Sequence, residues 1–271
     1  MLELFQYTFF QHALLGSLLA SIACGIIGTY IVTRRLVFIS GGITHASFGG
    51  VGIALYTGIS PIFSASIFSV LCAMGVQWLS TRRDMREDSA IAMIWTFGMA
   101  IGIIFSFLAP GFTSDLSAYL FGNILTISDT DLWVLAAVSI LLIVLFALYI
   151  HPIISLAFDK EFSRSQGIPV ALFEYILMIC IALTIVACLR MVGIVLAISL
   201  LTIPQMTANL FTFNFKKMIG LSIVIGFVSC IGGLILSYWL NVPSGATIIF
   251  FSIMMYVCSK IGNKIGKSNK Q

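Results

Sequence analysis

Apolar residues form nine long stretches along this chain, separated by short groups of charged residues or by glycine and proline. Each stretch approaches the ~20 residues that an α-helix needs to cross ~30 Å of hydrocarbon. The pattern therefore predicts an all-α, polytopic membrane protein with nine spans. Eight spans are the alternative if residues 109–130 contain a re-entrant segment or if Arg190 does not mark a turn. The predicted spans are residues 12–32, 40–56, 61–80, 89–108, 131–150, 170–189, 192–211, 218–240 and 246–261.

The composition of the chain is that of a membrane protein. Of its 271 residues, 60% are apolar and 9% are charged, and the mean hydropathy is +1.11, far above that of soluble domains. We therefore interpret residues 1–271 as one transmembrane domain, with a polar connecting loop at 155–169 and a basic tail at 262–271. The spans leave no room for an ATPase domain, and the chain has no GxxxxGK[ST] motif. Any ATPase must be a separate chain.

The positions of Lys and Arg predict the orientation of the spans. If the N-terminus is outside, all of the 14 Lys and Arg residues except Arg190 lie on the cytoplasmic side, as the positive-inside rule requires. The prediction is an outside N-terminus and a cytoplasmic C-terminus. The net charge of +4 does not indicate nucleic-acid binding, because the basic residues occupy short loops between spans.

The second span, SGGITHASFGGVGIALY, has an unusual composition for a membrane helix. At helical spacing its small residues form two adjacent stripes, which allow close approach of other backbones. The stripes are Gly41, His45 and Gly49, and Gly42, Ala46 and Gly50. Thr44 and Ser47 place hydroxyl groups next to the histidine in the sequence.

His45 is the leading candidate for a transport site. It follows Arg35 by ten residues, which places it ~15 Å deep at ~1.5 Å of rise per residue. An ionisable side chain at that depth usually faces a bundle interior or a water-filled path. The alternative is a histidine that only hydrogen-bonds between helices.

The connection after the fifth span contains FDKEFSRSQGIP, residues 158–169. Apolar Phe158 and Phe162 alternate with charges of both signs, and Gly167 is suited to end a short helix. The pattern predicts a short amphipathic cytoplasmic helix that docks on a partner, with a plain connecting loop as the alternative.

The seventh span contains a proline, Pro204, with polar residues around it. A proline inside a span frees a backbone carbonyl and bends the helix, so this span can line a cavity. The alternative is a kink without a ligand role, in which neighbouring helices provide partners for the freed carbonyl. The polar residues are Thr202, Gln205, Thr207 and Asn209.

Together and in this order, these stretches resemble the permease subunits of bacterial ATP-binding-cassette importers for zinc, manganese and related divalent metals. The segments that carry the resemblance are GGITHASFGGVGIAL, LSAYLFGNIL, FDKEFSRSQGIP, VGIVLAISLLTIPQMTA and the Pro243-Ser244-Gly245 turn. The resemblance implies a non-catalytic, multi-pass permease of the bacterial plasma membrane that forms a homodimer. It also implies an external metal-binding protein and two cytoplasmic ATPase subunits. The residues thereby assigned to ATPase coupling are Phe158, Asp159, Glu161, Phe162, Arg164 and Gly167.

One position departs from the family. Many members have an aspartate four residues before the span-two histidine, and this chain has Gly41 there. His45 and its mate in the homodimer then form a nitrogen-only pair, which Thr44, Ser47, Gln205 or water would complete. Two imidazoles favour zinc or iron over manganese. The prediction is ATP-driven import of zinc, with manganese or iron as alternatives, by alternating access and without a permanently bound cofactor.

The outer face is predicted to carry three carboxylates, Asp115, Asp129 and Asp131. They are placed to attract cations or to contact the metal-delivery protein. The favoured interpretation of Asp129 and Asp131 is that they only cap the start of the fifth span.

Other functional classes fit the sequence less well. A permease for siderophores or cobalamin would share the docking helix but needs a wide path instead of a histidine pair. A secondary transporter needs carboxylates at mid-membrane, whereas Glu174, near the cytoplasmic end of the sixth span, is the only acidic residue inside a span. An intramembrane enzyme is a further alternative, but the sequence contains no HExxH motif and no serine with an evident base partner.

Overall fold

A computed structural model describes residues 7–81, 85–110, 124 and 127–268. Within these ranges all regular structure is helical, and nine segments are long and apolar enough to cross a membrane. The all-α class and the nine predicted spans are therefore confirmed. The helices are α1 (Thr8–Thr33), α2 (Val37–Thr57), α3 (Pro61–Thr81), α4 (Glu87–Leu108), α5 (Asp129–Phe158), α6 (Lys160–Ser165), α7 (Val170–Leu200), α8 (Ile203–Asn209), α9 (Phe215–Leu240) and α10 (Ser244–Ser268).

Several helix ends are set by the residue types that usually end helices. Helix α2 ends at Gly58, whose φ of 74° is the left-handed conformation that glycine adopts without strain. Helix α3 begins at Pro61, where the missing N–H costs no hydrogen bond. Helix α5 begins with a capping box, in which the Ser128 side chain accepts from the Asp131 N–H and the Asp131 carboxylate accepts from the Ser128 N–H.

Helix α5 continues past the end predicted for the fifth span. The prediction ended that span at Ile150, before His151 and Pro152, but the helix bends there and continues to Phe158. The bend is at Tyr149, where φ is −116° and ψ is 26°. A proline ring clashes with the carbonyl four residues earlier and removes one hydrogen bond, so it either kinks or ends a helix, and here the helix is kinked.

The boundary between the sixth and seventh spans lies within α7. The prediction placed it at Arg190 and Met191, and the two candidate spans, Val170–Leu189 and Val192–Asn209, flank the same two residues. The non-helical residue is Gly193, two positions further on, with φ 71° and ψ 174°. Only glycine adopts this conformation readily. The seventh span is broken a second time after Leu200, and Pro204 lies in the first turn of α8. Pro204 therefore begins a helix instead of kinking one.

Helices α1 and α2 organise two sides of one bundle. Helix α1 packs against α5, α7 and α9, and α2 packs against α3, α4 and α7. Helix α7 contacts both groups, and its residues Leu177 and Ile181 are almost fully buried. The result is a continuous apolar core that joins most of the described helices.

Helix α10 extends into the segment predicted as a tail. It runs to Ser268, seven residues past the predicted end of the last span at Ile261. The added turns contain lysines, and positive charge near a helix C-terminus is favoured by the helix dipole.

Candidate translocation site

The backbones of α2 and α4 touch through small residues. A Cβ atom added to Gly98 would lie 2.7 Å from both the Cα and the carbonyl oxygen of Ala46. A Cβ added to Gly49 would lie 2.8 Å from the Gly98 oxygen, and one added to Gly42 would collide with Ile91. Glycine is thus required on both helices at this contact. Gly98 was missed as a packing residue, although its spacing of four from Gly102 was visible in the sequence.

The predicted stripes of α2 do not face one common partner. Gly50 faces α3, where an added Cβ would lie 2.6 Å from the Cα of Ala65. Gly41 has room for a side chain, because the nearest heavy atom to its added Cβ is Ile198 Cδ1, at an ordinary contact distance of 4.0 Å. The structure therefore has space for a carboxylate side chain at position 41, and the carboxylate is missing only because the residue there is glycine.

His45 is partly exposed and stacks on Trp95 of α4. The two ring centroids are 4.7 Å apart and the planes differ by 10°. The Nδ1 atom is buried without a hydrogen-bond partner in the described part of the chain. Burial of Nδ1 leaves Nε2 as the nitrogen that a ligand can approach. Trp95 was not among the predicted site residues, because its contact with His45 is made between two helices.

The hydroxyl groups next to His45 in the sequence are turned into their own helix. Thr44 and Ser47 are fully buried. The Thr44 hydroxyl donates to the Ser40 carbonyl, and the Ser47 hydroxyl donates to the Thr44 carbonyl at 2.6 Å. These bonds hold both side chains against the backbone of α2.

Gln205 lies on α8, against α1. Its Nε2 atom donates to the carbonyl oxygens of Cys24, at 2.7 Å, and of Leu200, at 3.0 Å. The Leu200 carbonyl lies at the end of α7, where the helix break removes its usual donor. The side chain is fully buried, and its Oε1 atom has no partner among the described residues. Gln205 thus joins α8 to both helices beside it.

The outer carboxylates have local partners. Asp131 belongs to the capping box of α5, as the favoured interpretation predicted. Asp129 does not cap in the same way: its Oδ1 atom lies 3.4 Å from Nε2 of His12 on α1. Asp115 lies outside the described residues, as does most of the LSAYLFGNIL segment.

The short helix α6, Lys160–Ser165, lies within the predicted segment 158–169 and is shorter than it, because Phe158 still belongs to α5. The Asp159 side chain accepts from the Phe162 N–H at 2.9 Å and caps the helix start. Glu161 and Arg164 pair at 3.2 Å, and Gly167 has φ 75°. The aromatic side chains of Phe158 and Phe162 are 65% and 54% exposed. The end of α5 and helix α6 therefore present two aromatic rings and an ion pair on a surface that the described residues leave exposed.

No group of three or more His, Cys, Asp or Glu side chains able to hold a metal ion is found among the described residues. Among the described residues, nine apolar segments could cross a membrane, one glycine-rich segment carries the half-buried His45, and the short helix α6 carries exposed side chains. These features define a multi-pass membrane protein with the architecture of a transport permease. Residues 6–263 match the ABC 3 transport family, and the chain belongs to that family.

Relatives of similar length match almost the whole chain. An uncharacterized membrane protein of Synechocystis is 38% identical over 96% of this chain and 92% of its own length. The manganese transport system membrane protein MntC of Halalkalibacterium halodurans is 35% identical over 94% of this chain and 87% of its own. Among solved structures, PsaBC from Streptococcus pneumoniae, in complex with Fab, is similar with a TM-score of 0.84. It is 29% identical, and the match covers 94% of this chain and 92% of that one.

Proposed function

We propose that this chain is the membrane subunit of an ATP-driven importer of manganese. The family match places it among ABC transport proteins, and relatives that share about a third of its residues carry the name manganese transport system membrane protein. The observation that supports a transition metal as cargo is His45, a half-buried imidazole with one approachable nitrogen in the middle of a glycine-rich span.

The cargo site is formed by His45 and the same residue of a second copy. One imidazole from one chain is too few ligands to hold an ion, whereas a symmetric pair with water gives a weak site. A weak site suits transport, because an ion that is held tightly would not leave. This part of the proposal requires a homodimer in which the Gly41 and His45 stripes of the two copies face each other.

Helix α6 is the surface on which an ATPase subunit docks. Phe158 and Phe162 are exposed on the predicted cytoplasmic side, where a soluble partner can cover them. The Asp159 cap and the exposed Glu161–Arg164 ion pair are both made within α6 and its cap, so neither needs that partner. ATP binding then moves the two α6 helices, and alternating access carries the ion from a metal-binding protein outside to the cytoplasm.

Zinc is the second candidate cargo, and Gly41 is the observation that favours it. Manganese prefers oxygen ligands, while an imidazole pair without a carboxylate suits zinc better. Thr44 and Ser47 do not offset this preference, since their hydroxyls bond to the backbone of α2.

Uptake by vesicles tests both candidates. The chain, its ATPase and its metal-binding protein are reconstituted, and ATP-driven uptake of manganese, zinc and iron is measured for the native chain and for His45→Ala. We expect manganese to be taken up, and His45→Ala to lower uptake by about tenfold or more, equivalent to ~1.4 kcal/mol, with ATP hydrolysis retained. Preferential uptake of zinc would select the second candidate. Absence of uptake of any metal would refute the import function, and unchanged uptake by His45→Ala would refute the site.

A further inference from the structure

One buried carboxylate connects the short helix α6 to the membrane bundle. Glu174 lies in the second turn of α7, with 8% of its side chain exposed. Its Oε1 atom lies 2.6 Å from Nζ of Lys160, at the start of α6, and 3.3 Å from Nη2 of Arg34, which caps the end of α1. Its Oε2 atom accepts a hydrogen bond from Nε2 of Gln77, on α3, at 3.0 Å. Four helices thus meet at a single side chain.

The ligands of this carboxylate differ in mobility. Gln77 is buried within α3, and Arg34 is held at the end of α1 with its Nε atom buried. Lys160 is the most exposed of the three donors, with 32% of its side chain accessible, and it belongs to a helix of six residues. A displacement of α6 therefore acts first on the Lys160 contact, and through Glu174 on α1, α3 and α7.

The cluster does not have the form of a ligand-binding site. The adjoining cavity, lined by Tyr30, Arg34, Gln77 and Glu87 among others, has a volume of about 10 Å³. That is about the space of one water molecule, and the carboxylate oxygens are already occupied by protein donors. Stability of the fold does not explain the cluster either, since buried ion pairs often contribute no more to the free energy of unfolding than apolar side chains of similar size. A buried ionic junction does fix one geometry among the elements that it joins.

We propose that Glu174 is a positioning residue of the transport cycle, through which the motion of α6 is transmitted to the spans. This inference rests on the proposed function, because it assigns α6 the role of docking an ATPase. The Lys160–Glu174 contact is the link that moves, and the contacts of Glu174 with Arg34 and Gln77 pass the motion to α1 and α3. Loss of the link uncouples ATP hydrolysis from metal movement.

The ratio of metal taken up to ATP hydrolysed tests the proposal. The complete complex is reconstituted with Lys160→Met, with Glu174→Gln, with both changes, and with Lys160→Arg. We expect each of the first two variants to lower the ratio at least fivefold, at the lower end of typical couplings between sites (~5–150-fold). The double variant should be no worse than either single one, because both break the same contact. Lys160→Arg keeps a cation in reach and should retain the native ratio.

Lys216→Met is the matched control. It removes one lysine from the same predicted face, but Lys216 is exposed at the start of α9. If Glu174→Gln fails to fold, Lys160→Met still tests the proposal, because the Lys160 side chain is partly accessible and its replacement disturbs the fold less. Parallel losses of uptake and hydrolysis, with an unchanged ratio, would mean that the cluster only supports the fold, and would overturn the proposal.

Hydrogen exchange on the permease gives a measurement that does not depend on transport. Amides of residues 160–166 should exchange faster in Lys160→Met than in the native chain or in Lys216→Met, because α6 loses its anchor. Unchanged exchange would overturn the link. If the native complex moves no metal, the proposed function fails; if it moves metal and the variants keep the native ratio, only the role of Glu174 fails.

Discussion

Two regions of this molecule join helices by opposite means. Around His45, α2 and α4 meet backbone to backbone through Gly49 and Gly98, and the imidazole lies beside an aromatic ring with one nitrogen unpaired. Around Glu174, four helices are joined by charged and amide side chains over distances of 2.6 to 3.3 Å. Among the described residues, the Nδ1 atom of His45 in the first region has no partner, whereas both oxygens of the Glu174 carboxylate in the second region have one.

The difference follows from what each region is proposed to do. A site that passes an ion onward must bind weakly, so a histidine with few protein contacts is suitable. A junction that passes on motion must keep its geometry, so several donors on one carboxylate are suitable. Close glycine packing supplies rigidity near His45 without adding competing ligands.

The largest effect is expected at the glycine contact. Gly98→Leu would force a side chain into the backbone of Ala46, with an added Cβ only 2.7 Å from its Cα. Overpacking lowers the free energy of unfolding by ~1–3 kcal/mol where neighbours can move. Here the neighbour is backbone, so we expect the free energy of unfolding to fall by at least ~3 kcal/mol. Thermal unfolding in detergent measures it. Gly220→Leu, on α9 with no atom within 4 Å of the added Cβ, is the control. Equal stability of the two variants would contradict close packing of α2 on α4.

A smaller effect is expected in the charged region. Gln77→Leu removes the donor to Glu174 Oε2 and should lower the free energy of unfolding by ~1.5–3 kcal/mol, the range for hydrogen bonds to charged groups. Gln77→Glu should destabilise more, since it places a second carboxylate beside the first. Chemical denaturation should therefore rank the native chain above the Leu variant and the Leu variant above the Glu variant. A Glu variant as stable as the native chain would show that the two side chains do not meet.

The choice of metal gives the third test. Gly41→Asp adds an oxygen ligand one turn before His45, in a position with room for a side chain. Because manganese prefers oxygen more than zinc does, the ratio of manganese to zinc uptake should rise about tenfold, or ~1.4 kcal/mol. Gly41→Ala controls for the loss of glycine. An equal rise in the Ala variant would show that the carboxylate is not responsible.

The smallest effect is expected from the aromatic stack. Trp95→Leu removes the ring that lies 4.7 Å from the His45 ring, and such pairs contribute ~0.5–1.5 kcal/mol. Uptake should fall severalfold at low metal concentration, while Trp95→Phe should retain most of it. Trp133→Leu, at a position 76% exposed on α5, serves as the control. Should Trp95→Leu and Trp133→Leu behave alike, the stack has no part in orienting His45.

Much of the fold was predictable because it depends on local properties of the sequence. The number of spans follows from runs of apolar residues, and the end of α6 follows from Gly167, which has φ 75°. The Asp159 cap at its start was observed only in the structure. The boundary between the sixth and seventh spans was predictable from Arg190, because a charge in an apolar run is a clear signal. The non-helical conformation of Gly193 was not predicted, because one glycine among many is not such a signal. The bend at Tyr149 was taken for an end because proline permits either outcome.

The sequence by itself determined the class of protein, the number of spans and the identity of His45 as a candidate ligand. Hydrophobicity, charge and helix-capping residues act over a few positions, so they can be interpreted along the chain. Only the tertiary structure decided that Trp95 covers His45, that Gln205 binds the Cys24 and Leu200 carbonyls, and that Glu174 joins Lys160, Arg34 and Gln77. These contacts join residues from 5 to 181 positions apart, and most form between helices whose packing, and not whose local sequence, brings the side chains together.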